Sequence, residues 1–385
     1  MSKTSNFPHF TFSYFLVNAI RLVFSLTFLF SGTVKLIDPR GTQYKIEDYG
    51  AAFSMSGFLP DGLPLTLACT IAIVEFLMGV YLFFGIRRRL TLSTAICFLL
   101  IMTPLTLYLA IKNPVSDCGC FGDALILSNW QTFGKNVVLL VLSIIALRYY
   151  KLMPHFVGKR YEWMVALAAF VFAVLFASYN IWRLPVIDFR PYHVGADIRK
   201  AWYDDQQNYG EFVTTFIMEK DGVRKEFSLE EYPDSTWTFI DTKTTQTKPS
   251  ERTGVGDLLI QDAETGEDIT QQILEDHAWT LLLIAPYIEK ADDSVMGELL
   301  ELYDFCQENS PYIKFYCLTS SGEKAIENWK EMTGAEYPFC YADAVVLKTM
   351  IRSNPGLMLL RDGKVIRKWP STDLPTPKEL LITIS

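Results

Sequence analysis

The chain has 385 residues, 50% of them hydrophobic, 14% aromatic and only 20% charged, with a mean hydropathy of +0.17. That composition excludes a disordered chain and speaks against an ordinary soluble enzyme. Residues 1–185 hold 15 Lys+Arg against 8 Asp+Glu while residues 186–385 hold 20 against 35, so a membrane domain precedes an acidic, soluble one that would repel nucleic acid.

Five segments reach the roughly 20 apolar residues a membrane span needs. They are Phe10–Val34 with Arg21 as its charge, Gly62–Ile86 with Glu75, Leu90–Ile111, Thr132–Tyr149 and Trp163–Trp182. The fourth is the weakest, because Lys135 interrupts it and is expected to snorkel to the headgroups. Trp130, Tyr149 and Tyr150 flank it as interfacial anchors. Arg87-Arg88-Arg89 fills the link between the second and third spans, and Arg148, Lys151, Lys159 and Arg160 fill the one between the fourth and fifth. Both links are then cytoplasmic, and Lys3 agrees. Five spans from a cytoplasmic N-terminus place the acidic half outside.

Arg21 and Glu75 are charges within the bilayer, which cost roughly 2.5 kcal/mol or more unless paired or hydrated. At 1.5 Å per residue they lie roughly 12 and 17 Å in from the cytoplasmic ends of their spans. Two long side chains on antiparallel neighbours bridge that difference, so an Arg21–Glu75 ion pair is expected. It either braces the helices or lines a cavity. Ser31, Gly32 and Gly79 are small enough to let these helices approach closely.

Seven cysteines follow different logics. Cys69 and Cys97 lie in spans, as small apolar residues. Cys306, Cys317 and Cys340 belong to the outer half, where Cys317 occupies a core strand and its pairing with Cys340 stays open. Cys118 and Cys120 stand apart, in the loop Asp117-Cys-Gly-Cys-Phe-Gly-Asp123 directly after the third span. On the outer face an oxidising compartment lets disulfides persist. A bridge across one glycine closes a small, strained ring that is readily reduced or exchanged. The flanking Asp117 and Asp123 are expected to raise the thiol pKa values. An exchangeable disulfide, a structural staple and a metal site all stay open, the last least favoured because the loop offers no His.

The run Arg21, Ser31-Gly-Thr-Val-Lys35, Asp38-Pro39, Glu75 and Asp117-Cys-Gly-Cys-Phe-Gly-Asp123 resembles the DoxX/MauE group of small membrane proteins. Cys-Gly-Cys-Phe-Gly is similar to the methylamine-utilisation MauE branch. The resemblance, over roughly residues 10–150, implies a four-helix membrane bundle with a role in electron transfer or disulfide formation on the outer side. It makes Arg21, Glu75, Cys118 and Cys120 the candidate functional positions.

Beyond Trp182, residues 185–255 read as β-rich. Phe212–Lys220 and Val223–Phe227 form a hairpin around Asp221-Gly222, and Thr242–Gly256 reads as a polar linker. From Asp257 the order is strand, turn, helix, strand, helix, strand, helix, hairpin, helix. Thr270 is expected to cap a helix over Gln271–Asp276, and Trp279–Ala285 is a buried parallel strand. The hairpin beginning Ser353-Asn-Pro355-Gly resembles that of the thioredoxin fold, which makes Pro355 the candidate cis-proline. The lead-in Asp262…Gly266-Glu-Asp-Ile-Thr270 is similar to membrane-anchored TlpA-type thioredoxins. Their Cys-x-x-Cys should follow Ala285, yet the chain reads Pro286-Tyr-Ile-Glu-Lys-Ala-Asp-Asp293.

The organisation expected is a DoxX/MauE-like four-helix membrane domain over 1–152, a fifth transmembrane helix over 160–184, a β-rich segment over 185–255, and an α/β thioredoxin-like domain lacking Cys-x-x-Cys over 256–385. The function expected is extracytoplasmic thiol–disulfide or electron transfer through Cys118 and Cys120, in a bacterial cytoplasmic membrane, with an extracytoplasmic protein partner. A quinone near Arg21 and Glu75 is the one cofactor left open, and no metal is expected. The competing expectation is a non-catalytic membrane anchor whose thioredoxin-like domain docks a partner.

Overall fold

The structure is a computed structural model that describes residues 7–53, 60, 62–115, 117–207, 212–220, 223–228, 237–246 and 253–384. It divides into two compact units, Met1–Arg190 and Pro191–Ser385.

The first unit is helical. The helices α1 (Phe7–Ile37), α3 (Leu63–Phe84), α4 (Arg88–Lys112), α5 (Asn129–Arg148) and α6 (Glu162–Trp182) are long and apolar enough to cross a membrane. A sixth, α2 (Pro39–Ala52), is too polar to span and was not foreseen as a helix. It begins where Asp38 accepts from the Gly41 amide at 2.8 Å, with Pro39 in the first turn. Helices α1 and α3 run against each other along their length. A Cβ at Gly32 would meet the Phe76 backbone nitrogen at 2.3 Å, and one at Gly79 the Leu29 nitrogen at 2.5 Å, so only glycine permits this approach.

The weak fourth span, α5, keeps its polar residues inside. Asn136 donates to Thr106 Oγ1 at 3.3 Å and Asn129 to Asn113 Oδ1 at 2.9 Å, while Ser128 and Gln131 close a capping box at its start. Helix α6 packs on α1 and α3 through Ala173 and Ala177, and exposes Leu167, Phe170, Val171 and Leu175. An apolar outer surface around a polar-studded interior is what a bilayer demands. The chain is a multi-pass membrane protein, and these helices contact lipid.

The second unit opens with α7 (Ile198–Gln207), a helix inside the stretch expected to be β-rich. Buried Asp205 fastens it by accepting from the Thr253 and Gly256 amides, each at 2.8 Å. Strands β1 (Phe212–Lys220), β2 (Val223–Ser228) and β3 (Thr238–Gln246) form a sheet in the order β2-β1-β3. Thr242–Gln246 therefore belongs to a strand rather than a linker, since a ladder with β1 gives its threonines a partner. The hairpin turn expected at Asp221-Gly222 lies outside the described residues.

The remainder is β4 (Gln261–Asp262), α8 (Thr270–Glu275), β5 (Trp279–Ile284), α9 (Met296–Glu308), β6 (Ile313–Thr319), α10 (Glu323–Thr333), β7 (Phe339–Tyr341), α11 (Ala344–Met350), β8 (Gly356–Arg361), β9 (Lys364–Pro370) and α12 (Pro377–Ile384). The sheet order is β4-β7-β6-β5-β8-β9, with β5, β6 and β7 mutually parallel and β8 and β9 an antiparallel hairpin. A parallel crossover beside an antiparallel hairpin whose Asn354–Pro355 bond is cis is a thioredoxin-like arrangement. Thr270 does not cap α8, because its hydroxyl is taken by the Ile260 amide at 2.7 Å. Strand β7 and helix α11 were not anticipated, being only 3 and 7 residues long.

Candidate functional site

The loop 117–123 lies at one end of the membrane unit, held from three sides. From α1, Lys35 Nζ uses its three protons on the Cys120 carbonyl at 2.7 Å, Ser31 Oγ at 2.7 Å and Glu75 Oε2 at 2.6 Å. The Ser31 hydroxyl stands 2.6 Å from both the Cys120 carbonyl and the Glu75 carboxylate, and donates to one of them. Lys35 and Glu75 are both buried, at 6% and 5% side-chain exposure. The membrane node is thus a lysine, a carboxylate, a hydroxyl and a loop carbonyl, each satisfied by the others.

From α2, Lys45 and Tyr49 lie one turn apart and reach the same loop. Lys45 pairs with Asp117 at 2.8 Å, and the Tyr49 hydroxyl donates to the Cys118 carbonyl at 2.6 Å. Burial, then the neighbouring Cys118, pushes that hydroxyl well above the usual phenol range, so it stays a donor. The other Asp117 oxygen accepts the Gly119 amide at 2.8 Å, closing a turn with Gly119 at φ 64°. From α5, Lys135 turns inward over the Phe121 ring at 4.4 Å, not outward to headgroups. It joins Ser31, Glu75, Asn136 and Cys120 around a cavity of about 20 Å³, which is space for about one water.

Within the loop the Cys118 and Cys120 sulfurs stand 3.1 Å apart, unbonded. The hydrogen bond from Cys118 and then the Lys135 and Lys35 cations pull the Cys120 thiol below its usual range, against burial. The same bond, with burial, pushes Cys118 up. Asp117, expected to raise the thiols, is paired with Lys45. The buried thiols of the second unit differ in kind. Burial pushes Cys306 and Cys340 up to about 12, and raises Cys317 well above the usual thiol range.

Arg21 and Glu75 do not pair. The register that Gly32 and Gly79 impose sets Glu75 opposite Ser31, roughly ten residues or about 15 Å beyond Arg21. Arg21 instead donates to the Phe83 carbonyl at 2.7 Å and the Leu82 carbonyl at 3.3 Å, at the negative end of α3, with its guanidinium 4.9 Å from the Phe156 ring. Lys35 is the residue that sequence reasoning passed over. Its signal was the Ser31/Lys35 spacing of one helical turn, which sets both on one face toward Glu75. Among the described residues no three His, Cys, Asp or Glu side chains gather as metal ligands do.

In the second unit, the segment after β5 is held without sulfur. The Ile288 amide donates to Ser321 Oγ at 3.0 Å, and Ser321 donates to Glu289 at 2.5 Å. Asn354, next to cis-Pro355, donates to the Tyr287 carbonyl at 2.8 Å. The Tyr287 ring lies 4.9 Å from the Lys348 ammonium.

Residues 13–150 match the family model of the methylamine utilisation protein MauE. This part of the chain is a MauE-like membrane region. Residues 212–249 match a domain family of unknown function. No curated protein matches the chain. Among solved structures, StoA from Bacillus subtilis is 16% identical over 33% of this chain and 96% of its own, with a TM-score of 0.27. A candidate protein disulfide isomerase from Bacteroides thetaiotaomicron is 12% identical over 33% of this chain and 80% of its own, with a TM-score of 0.26. The chain thus carries a region similar to MauE ahead of a unit whose strand order and hairpin are thioredoxin-like.

Proposed function

We propose that the chain is a thiol–disulfide exchange protein of a bacterial cytoplasmic membrane, with Cys118 and Cys120 as its reactive pair. Five apolar helices support this reading, since a cytoplasmic side chosen for the Arg-rich links would leave this loop and the chain after α6 outside. The observation that carries the reading is the pair of unbonded sulfurs 3.1 Å apart in a loop whose two cysteine carbonyls are gripped by Lys35 and Tyr49.

Cys120 is assigned as the attacking sulfur, because the hydrogen bond from Cys118 and the Lys135 and Lys35 cations draw its thiol below the usual range. It attacks one sulfur of a partner disulfide, forming a mixed disulfide. The partner's other sulfur leaves as a thiolate and takes up a proton. Cys118 then gives up its proton and attacks Cys120, closing the loop disulfide and releasing the second partner thiolate, which is protonated in turn. Two electrons pass from the loop to the partner. Run backward, the same steps oxidise a partner dithiol. Tyr49 and Lys35 hold the backbone still throughout, so the sulfurs remain in line.

The thioredoxin-like unit offers no cysteine between Pro286 and Asp293. That favours docking a partner protein as its task, and it is the one observation on the side of a non-catalytic anchor.

Thiol trapping in spheroplasts with a large membrane-impermeant maleimide separates the two. For exchange, wild type shows a mixture of reduced and oxidised loop, and Cys118→Ser accumulates a mixed disulfide through Cys120. A loop that stays oxidised under mild reduction, or never reacts, makes Cys118–Cys120 a staple and the chain an anchor.

A further inference from the structure

The opposite end of the membrane unit from the cysteine loop carries a cavity that the exchange reaction does not use. It has a volume of about 620 Å³, the size of an ordinary ligand site. Arg87, Arg88 and Arg89 form one wall, where α3 turns into α4, and Lys159 and His155 form another, ahead of α6. Arg88 is committed, donating to the Met153 carbonyl and so fastening the α5–α6 link. His155 faces Glu162 at 3.6 Å, the one acidic residue of the lining. Among the described residues, Arg87, Arg89 and Lys159 have no carboxylate partner.

A preference for Lys and Arg on one side of the membrane explains why these residues lie at this end. It does not explain why they converge on a cavity. Nor does it explain their place at the start of α4, where the helix dipole already presents positive charge. The first α4 amide to find a helical acceptor is that of Thr91, bonded to the Arg87 carbonyl at 3.1 Å, so the amides before it also face outward as donors. Cations and amides together call for an anion. The remaining lining says which source. Leu90, 59% exposed, and Ser93 continue the cavity along α4 toward the apolar surface, and exposed Trp163 and Tyr161 nearby mark the headgroup level.

We propose that this cavity seats the phosphate of an anionic phospholipid, held between Arg87, Arg89 and Lys159, with its acyl chains lying along Leu90 and Ser93. The head binds by charge-assisted hydrogen bonds, and the chains exclude the lipid from water.

The test uses the full chain in phosphatidylcholine nanodiscs with or without phosphatidylglycerol, read by thermal unfolding and by native mass spectrometry of retained lipid. Phosphatidylglycerol raises Tm and is retained in preference to phosphatidylcholine. Arg87→Gln, Arg89→Gln and Lys159→Gln each weaken retention roughly fivefold, while Arg87→Lys and Arg89→Lys keep most of it. Singles are used so that a misfolded triple variant cannot mask the result, and Lys112→Gln, at the other end of α4, leaves retention unchanged. Inorganic phosphate added to phosphatidylcholine discs leaves Tm unchanged. If phosphate alone reproduces the shift and phosphatidylglycerol adds nothing, the cavity takes a soluble anion and the lipid seat is overturned. Equal retention of both lipids, indifferent to the Gln variants, overturns it as well.

Discussion

The chain contains two short loops that are held by a buried polar node, and they differ in what the node is for. In the membrane unit, Lys35, itself paired with Glu75 and Ser31, grips the Cys120 carbonyl, and the loop offers two sulfurs. In the thioredoxin-like unit, Ser321 and Asn354 grip the backbone at Ile288 and Tyr287, and the loop offers an aromatic ring. A buried ion pair costs desolvation that the second node avoids, because the one carboxylate there, Glu289, is exposed. Where that cost is met, nearby cations draw the Cys120 thiol below its usual range. Where it is not, the same kind of grip only keeps a surface in shape. The comparison teaches that the cysteine pair proposed for exchange lies in the membrane unit, while the thioredoxin-like unit has no cysteine between Pro286 and Asp293, and it breaks or sharpens at named residues.

The largest effect is expected at Lys35. Lys35→Met leaves Glu75 buried without its cation and lowers stability by about 3–5 kcal/mol, whereas Lys35→Met with Glu75→Met recovers most of it. Thermal unfolding of the three proteins in one detergent checks this. Equal stability of the single variant and wild type would dissolve the difference between the two nodes.

Next comes Ser321→Ala, which strips the Ile288 amide of its acceptor and costs about 1–3 kcal/mol. The trapped redox state of Cys118 and Cys120 stays unchanged, since this node serves no sulfur. A shift in that state would tie the second unit to the exchange chemistry.

The thiols give a third test through pH. Cys120 is depressed, so its thiolate persists as pH falls below the usual thiol range and vanishes only on passing through its own lower pKa. Alkylation of Cys120 therefore reaches half its maximal rate at a pH below that of a free cysteine. Cys118→Ala removes the hydrogen bond and moves the midpoint up, while Cys118→Ser keeps a donor and moves it less. A midpoint in the ordinary thiol range for wild type would show that the node does not act on the sulfur. Tyr49→Phe removes a single hydrogen bond to the Cys118 carbonyl and costs about 1 kcal/mol. Lys45→Ala breaks a partly exposed pair and costs less than about 1 kcal/mol, while letting Asp117 raise the Cys120 midpoint slightly.

Composition and pattern alone settled much of this protein. The apolar runs coincide with the five long helices, because crossing a bilayer needs only length and hydropathy, which add residue by residue. The hairpin with Pro355 at its entrance is similarly local, since turn and strand chemistry write themselves into a few adjacent residues. The Cys118–Cys120 loop announced itself by spacing.

Partnership was decided elsewhere. The depths of Arg21 and Glu75 made them look like a pair, but which residues meet depends on how two helices slide past each other. That register is fixed by Gly32 and Gly79 against Phe76 and Leu29, contacts between positions far apart in the chain. It delivers Glu75 to Lys35 and leaves Arg21 to the carbonyls ending α3. Helix α2 escaped notice because its face is defined by the loop it supports and not by a hydrophobic stripe. The sequence by itself determined where the chain crosses the membrane and where its sulfurs lie. Only the tertiary structure decided which charges stand beside those sulfurs, because electrostatic pairing is a property of packed helices and not of any one of them.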